Sequence, residues 1–147
     1  MDVDAFIWEV HGWPLESQKR LKSAKVLLIG LGDFGTEIAR IVILAEVTSI
    51  TLLDHRNMTE KDNCQQFGTI DYQLGESRAE VALFRLKDLN SMTNVEADTT
   101  NIDDKPDEYF NNFDVVCATE CTITQLIRIN RIWTNTNTFR RLFLGRQ

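Results

Sequence analysis

Apolar residues along this chain fall into two patterns, short unbroken runs and stripes at helical spacing. The runs are Val26–Ile29, Ile50–Leu53 and the stretch Phe113-Asp114-Val115-Val116-Cys117-Ala118. Runs of this length predict strands buried on both faces of a parallel sheet. Between them, Ile38, Ile41, Val42 and Ala45 recur at the spacing of one helix face. Ala79, Ala82, Leu83, Leu86 and Leu89 predict a helix over 77–89, whose start is marked by the Ser77-x-x-Glu80 capping pattern. Ile123, Leu126, Ile127, Asn130 and Trp133 predict a core-facing stripe on a helix over 122–135. Val95–Asp98 reads as a further strand, Pro106–Phe110 as a short helix, and the closing FRRLFLGRQ as the start of one more strand. Ahead of the first strand, Pro14 suits a first helical turn, with Leu15, Gln18, Leu21 and Lys22 following at helical spacing up to Lys25. Residues 1–13 form an aromatic-rich arm carrying Phe6, Ile7, Trp8 and Trp13.

The turn after the first strand gives this alternation its meaning. Gly30-Leu31-Gly32-Asp33-Phe34-Gly35 is a complete G-x-G-x-x-G between a strand and a helix, and the second strand ends on an acid, Asp54. This predicts an α/β domain over 14–147 with a Rossmann-like, mostly parallel sheet, preceded by an N-terminal helix. Gly30 permits the tight turn, Gly32 allows a phosphate to approach the backbone, and Gly35 lets helix and strand pack closely. Two readings of the loop stay open, a phosphate cradle at a helix N-terminus and a tight turn kept as architecture. Asp54 is either a ribose ligand or a solvated strand end. Asp33 adds a carboxylate close to where a phosphate would sit. Arg78, at the start of the next helix, caps or pairs near the loop, or contacts phosphate. The nucleotide-binding candidates are therefore Gly30, Gly32, Gly35, Asp54 and Arg78. The 23 largely polar residues 55–77 are too many for a simple connector and leave the end of a strand where such sheets bind ligands.

Composition narrows the partners. The chain has 147 residues, 43% hydrophobic and 26% charged, ordinary values for one globular domain. A net charge of −6 argues against nucleic acid or an anionic membrane. No apolar run approaches the roughly 18–20 residues of a membrane-spanning helix, and MDVDAFIWEV lacks the layout of a signal peptide. Cys64, Cys117 and Cys121 form neither a disulfide framework nor a zinc pattern, which points to a reducing compartment. Cys117 reads as a small hydrophobe in a buried strand. Cys121 stands at a helix start, a place that lowers a thiol pKa, but neither His11 nor His55 is near it in sequence. No catalytic cysteine and no metal site are expected.

Several pieces together resemble one family. They are Trp13-Pro14-Leu15-Glu16-Ser17-Gln18-Lys19-Arg20-Leu21 before the first strand, the glycine loop, Leu53-Asp54-His55 with its long loop, and Gly75-Glu76-Ser77-Arg78-Ala79-Glu80. The set is similar to the ThiF-type adenylation domains of ubiquitin-like-protein activating enzymes and their bacterial relatives. Leu52-Leu53-Asp54-His55, Lys105-Pro106 before Tyr109-Phe110, and Phe113-Asp114-Val115-Val116-Cys117 resemble the smaller, non-catalytic subunits of SUMO-activating enzymes. The likeness covers about residues 13–139. It implies ATP-dependent adenylation of a modifier's C-terminal carboxylate, then thioester transfer to a cysteine, with this chain inactive by itself. Both steps, and the ATP and Mg²⁺ they use, would sit on a catalytic partner subunit in a heterodimer. The second partner would be a SUMO-like modifier, and the location nucleus and cytoplasm.

The departures are informative. The family's catalytic half uses an arm arginine, a loop arginine, a lysine at the next helix and an aspartate after the later strand. Those places hold Trp8, Gln65, Arg78 and Cys121. The last three fit a subunit that holds no ATP. Trp8 cannot neutralise phosphate, so an arm cation offered to the partner's ATP is not expected. FRRLFLGRQ departs from the family's continuation, and the expectation is a truncated or degenerate product. The alternatives are an inactive truncated duplicate and a free-standing NAD-binding oxidoreductase. The extra N-terminal helix, the long polar loop and the lack of a substrate domain weigh against the oxidoreductase.

Overall fold

The computed structural model describes residues 19, 22–59 and 74–134 and the backbone of strand 141–144. The arm 1–13, most of the helix expected from Pro14, and the loop centre with Cys64 and Gln65 lie outside the described residues. What is described of that helix is its end, where the Ser23 amide donates to the Lys19 carbonyl at 3.1 Å.

The elements follow the predicted alternation. They are β1 (Lys25–Ile29), α1 (Asp33–Leu44), β2 (Ser49–Leu53), α2 (Arg78–Leu86), β3 (Asn94–Asp98), β4 (Val115–Ala118), α3 (Ile123–Thr134) and β5 (Arg141–Leu144). Two 3₁₀ turns, Ile102–Asp104 and Asp107–Asn112, replace the short helix expected at 106–110. All strand pairs are parallel, in the order β3-β2-β1-β4-β5. The final strand expected in FRRLFLGRQ is β5, paired to β4 with Val115 beside Arg141.

Central position explains the unbroken apolar runs. Val26 and Leu28 join one core with Ala39, Ile43, Ile50, Leu52, Ala79 and Ala82. Leu27 and Ile29 join the other with Phe110, Val116, Ile129 and Trp133. Successive residues of β1 face opposite layers, so each must be apolar.

The helix faces differ from the predicted stripes. On α1 the fully buried side is Gly35, Ala39 and Ile43. Ile38 and Val42 pack only in part, and Ile41 is exposed. The orientation is set by Gly35, whose Cα lies so close to the Gly30 carbonyl that a Cβ there would sit 1.9 Å from the oxygen. On α3 the buried side is Ile129 and Trp133, with Leu126 and Ile132 packed against it. Ile123, Ile127 and Asn130, expected inside, are exposed. Two polar anchors turn α3 this way. The Trp133 indole donates to the Phe110 carbonyl at 3.4 Å. Arg128 donates to Asp107 at 2.9 Å, to the Ile102 carbonyl at 3.2 Å and to the Lys105 carbonyl. On α2, Ser77 is the N-cap and accepts from the Glu80 amide at 3.5 Å. The helix stops at Leu86, short of the expected Leu89, which is exposed.

The long loop is closed at its base. Met58 and Gly75 are joined by bonds from the Met58 amide to the Glu76 carbonyl at 2.7 Å and from the Gly75 amide to the Met58 carbonyl at 3.0 Å. Gly75 takes φ +84°, a left-handed geometry that suits glycine. Met58 is buried. Among the described residues, no helix is long and apolar enough to cross a membrane.

Candidate functional site

Strand order places the site. β2 lies on one side of β1 and β4 on the other, so chain direction across the sheet reverses between β1 and β4. In open parallel sheets, ligands bind at the carboxyl ends of the strands flanking such a reversal. The residues that follow β1, β2 and β4 meet there: the glycine loop, Asp54 with Arg56, and Thr119-Glu120-Cys121.

The loop is built tightly. The Gly30 amide donates to the Leu53 carbonyl at 3.0 Å, and the Thr119 amide to the Ile29 carbonyl at 2.8 Å. The Thr119 hydroxyl donates to the Ile29 and Gly30 carbonyls at 2.8 and 2.9 Å. Gly30 has φ +89°, and a Cβ on it would lie 2.4 Å from the Thr119 carbonyl oxygen. Gly30 and Gly35 are therefore required by the fold alone. No side chain caps the start of α1.

Asp54 is not a solvated strand end. Its side chain is 1% exposed. Oδ2 accepts from the Leu31 amide at 2.9 Å and from Arg78 Nη1 at 3.3 Å, and Oδ1 accepts from the Arg56 amide and Nε at 2.9 and 3.2 Å. Both oxygens are engaged within the chain, so a ribose would have to compete for a carboxylate that already holds the glycine loop to α2. Arg78, buried to 9% side-chain exposure, also reaches Glu120 Oε2 at 3.0 Å, and Arg56 Nη2 meets the same oxygen at 2.9 Å. Among the described residues, Asp54, Arg56, Arg78 and Glu120 thus form a linked set of two carboxylates and two arginines beside the glycine loop.

Glu120 and Arg56 are the site residues that sequence reasoning missed. Glu120 carries the clearest structural signal, a φ of +53° on a residue that is not glycine, an arrangement that costs about 1–2 kcal/mol. The turn directs its carboxylate at the glycine loop, with Oε1 only 2.7 Å from where a Gly32 Cβ would be. The carboxylate that reaches the cradle is therefore Glu120's, while Asp33 sits exposed at the first position of α1. Strand order is the clue: Arg56 lies three residues beyond β2 and Glu120 two beyond β4, the strands on either side of β1.

Beside the network lies a small cavity of about 30 Å³, bordered by Gly30, Asp54, Arg56, Glu120, Cys121 and Gln125. That is room for one or two waters. The groups that would meet a phosphate are engaged within the chain: the Glu120 carboxylate stands against Gly32 and pairs with both Arg56 and Arg78.

At Cys121 burial outweighs the nearby helix start and pushes the thiol up to about 11. Arg56 opposes that rise, while Asp54, Glu120 and Asp103 add to it. Cys117, expected to be buried, is raised to about 11 by burial. Peptide-resolved alkylation of Cys121 should therefore rise about tenfold per pH unit from pH 7 to 9, because the thiolate fraction does so well below the pKa. A plateau in that window would contradict the assignment.

A family model described as the ThiF family matches residues 7–138. The chain is 46% identical over 124 residues to SUMO-activating enzyme subunit 1 of Xenopus laevis, and 41% identical over the same length to that of Homo sapiens. These matches take in 84% of this chain and 36% of each relative, so the chain spans about a third of their length. Among solved structures it is similar in fold to the E. coli tRNA threonylcarbamoyladenosine dehydratase TcdA in complex with AMP. That match has a TM-score of 0.72 at 18% identity, over 93% of this chain and 55% of the other. It is also similar to E. coli MccB with ATP, with a TM-score of 0.62 at 22% identity, over 77% of this chain and 34% of the other. With the model matched over nearly the whole chain, on a parallel sheet whose glycine turn lies at the point of strand reversal, this protein belongs to the ThiF family.

Proposed function

We propose that this chain is the adenylation-type domain of the smaller, non-catalytic subunit of a heterodimeric SUMO-activating enzyme. ATP and Mg²⁺ lie on the catalytic partner, where the modifier's C-terminal carboxylate is adenylated and passed to a cysteine thioester. One observation carries the reading: Glu120 stands against Gly32 and pairs both arginines of the crevice, so the Rossmann geometry persists while its anion site is filled from within. The 46% identity to a subunit 1 supports the choice of modifier. The same obstruction counts against a free-standing NAD enzyme, whose pyrophosphate would need the same backbone.

Co-expression with a SUMO-activating catalytic subunit tests this. The expected result is co-elution as a 1:1 complex on size exclusion, with no SUMO-dependent ATP–pyrophosphate exchange from this chain alone. Separate elution of the two subunits, or exchange by the isolated chain, would overturn it.

A further inference from the structure

We propose that the edge formed by α3 and β5 is an interaction surface for an extended apolar segment of another protein, flanked by acidic residues, which adds to β5 as a strand. This surface lies apart from the glycine crevice and does not depend on the subunit reading.

Charge is divided unevenly along the chain. Of its 16 basic and 22 acidic residues, 121–147 hold Arg128, Arg131, Arg140, Arg141 and Arg146 and no acid, a net of +5. Residues 1–120 keep the other 11 bases and all 22 acids, a net of −11. α3 and β5 are therefore basic elements of an acidic molecule. Arg128 is turned inward, bonded to Asp107 at 2.9 Å, whereas Arg131 is exposed.

The packing of α3 leaves one flank bare. The 3₁₀ turns put Ile102 and Phe110 into the core that holds Leu27, Ile29 and Leu53 of β1 and β2, and Ile129 and Trp133 of α3 join it beside Val116 and Ala118 of β4. Gln125 and Arg128 bond to Asp103 and Asp107 of those turns at 3.2 and 2.9 Å, so this flank of α3 faces back toward β1. The opposite flank, on the β5 side, carries Ile123 and Ile127 at 76% and 60% exposure, with Asn130, Arg131 and Thr134 also exposed.

β5 supplies the backbone. Among the described residues it pairs with β4 alone, so its outer row of amides and carbonyls has no strand partner there. Such edges are normally blunted by charge, bulges or proline. The other edge of the sheet is blunted: β3 exposes Asn94 and Glu96, whose side chains bond at 2.9 Å, and ends on Asp98. β5 is Arg141-Leu142-Phe143-Leu144, with no acid and no proline. A strand added there gains main-chain hydrogen bonds and apolar contact with Ile123 and Ile127. Acids at its ends match Arg131 and Arg141. A second copy of the same edge would bring arginines toward arginines, which selects an acidic occupant.

Fluorescence anisotropy of the full chain tests this with a labelled peptide of alternating valines and isoleucines between paired aspartates. Saturable binding is expected, weakening several-fold as salt rises from about 50 to about 300 mM. Lysines in place of the aspartates, or N-methylation of alternate peptide amides, should each weaken it by roughly tenfold, the first through charge and the second through lost main-chain bonds. Ile123→Ser with Ile127→Ser should cost roughly tenfold, and Arg131→Glu roughly threefold to fivefold. All three positions are exposed, so the unfolding midpoint should stay near that of wild type. Absence of saturable binding would overturn the proposal, as would equal binding of the lysine or N-methylated peptide. Undiminished binding by the folded isoleucine variant would place the peptide elsewhere and overturn it too. Light scattering that found the free chain dimeric, and the isoleucine variant monomeric, would give the edge to a second copy and sink the acidic partner.

Discussion

Gly35→Ala is expected to remove most of this domain's folding stability. The added Cβ would lie 1.9 Å from the Gly30 carbonyl oxygen, 3.0 Å from its carbon and 3.1 Å from the Thr119 hydroxyl. The first two are backbone atoms, so no rotamer change relieves the overlap. α1 must back away from β1, which opens the layer formed by Val26, Leu28, Ala39 and Ile43. Overpacking of a core typically costs about 1–3 kcal/mol. A clash with fixed backbone belongs at or beyond the upper end, on the order of 4 kcal/mol or more. Against a usual total of about 5–15 kcal/mol, that takes most of the stability of a domain in the lower part of the range. Urea denaturation followed by circular dichroism measures it. Gly75→Ala is the control, because that glycine has φ +84° but nothing within 4 Å, and its cost should be about 1–2 kcal/mol. Equal losses at the two positions would show that backbone conformation, and not close packing, governs Gly35.

The same glycine shows which parts of the fold were legible. Strand runs and helix existence were readable because β1 is buried on both faces and helical stripes recur at fixed spacing. Helix rotation was not. On α1, hydrophobicity pointed to Ile38, Ile41 and Val42, but the face is chosen by a residue with no side chain. On α3 there are two apolar stripes, and polar anchors decide between them. Arg128 and Trp133 both reach segments more than 20 residues away, which no local pattern encodes.

The candidate site divides in the same way. The G-x-G-x-x-G and the acid at the end of β2 carry their spacing in the sequence, so Gly30, Gly32, Gly35 and Asp54 could be named before any coordinates. Arg78 could be named, with its partners left open between pairing and phosphate. Glu120 could not, because its role depends on a strand order that brings β4 beside β1, 64 residues of chain separating it from Arg56. Its left-handed backbone is also invisible in sequence, since glutamate gives no turn signal.

Arg78→Met should destabilise the domain by about 3 kcal/mol, the usual consequence of removing one partner from a buried ion pair. Arg78 and Asp54 are 9% and 1% exposed at their side chains, so solvent cannot take the place of the lost guanidinium. Met keeps the length and apolar bulk of the side chain, which confines the effect to charge and hydrogen bonding. Asp54 would retain the Leu31 amide and Arg56, and Glu120 would retain only Arg56. Two carboxylates would then share one half-exposed arginine, and the network would carry a net charge of −1. Glu120→Gln in the same chain restores neutrality, so Arg78→Met with Glu120→Gln should be more stable than the sum of the single changes by about 1–2 kcal/mol. Arg78→Lys keeps the charge but offers one compact ammonium to two carboxylates, and should fall between wild type and Met. Chemical denaturation of the four chains gives the cycle directly. Additive losses would mean that Arg78 serves Asp54 alone, and that the clamp on Glu120 has no energetic weight.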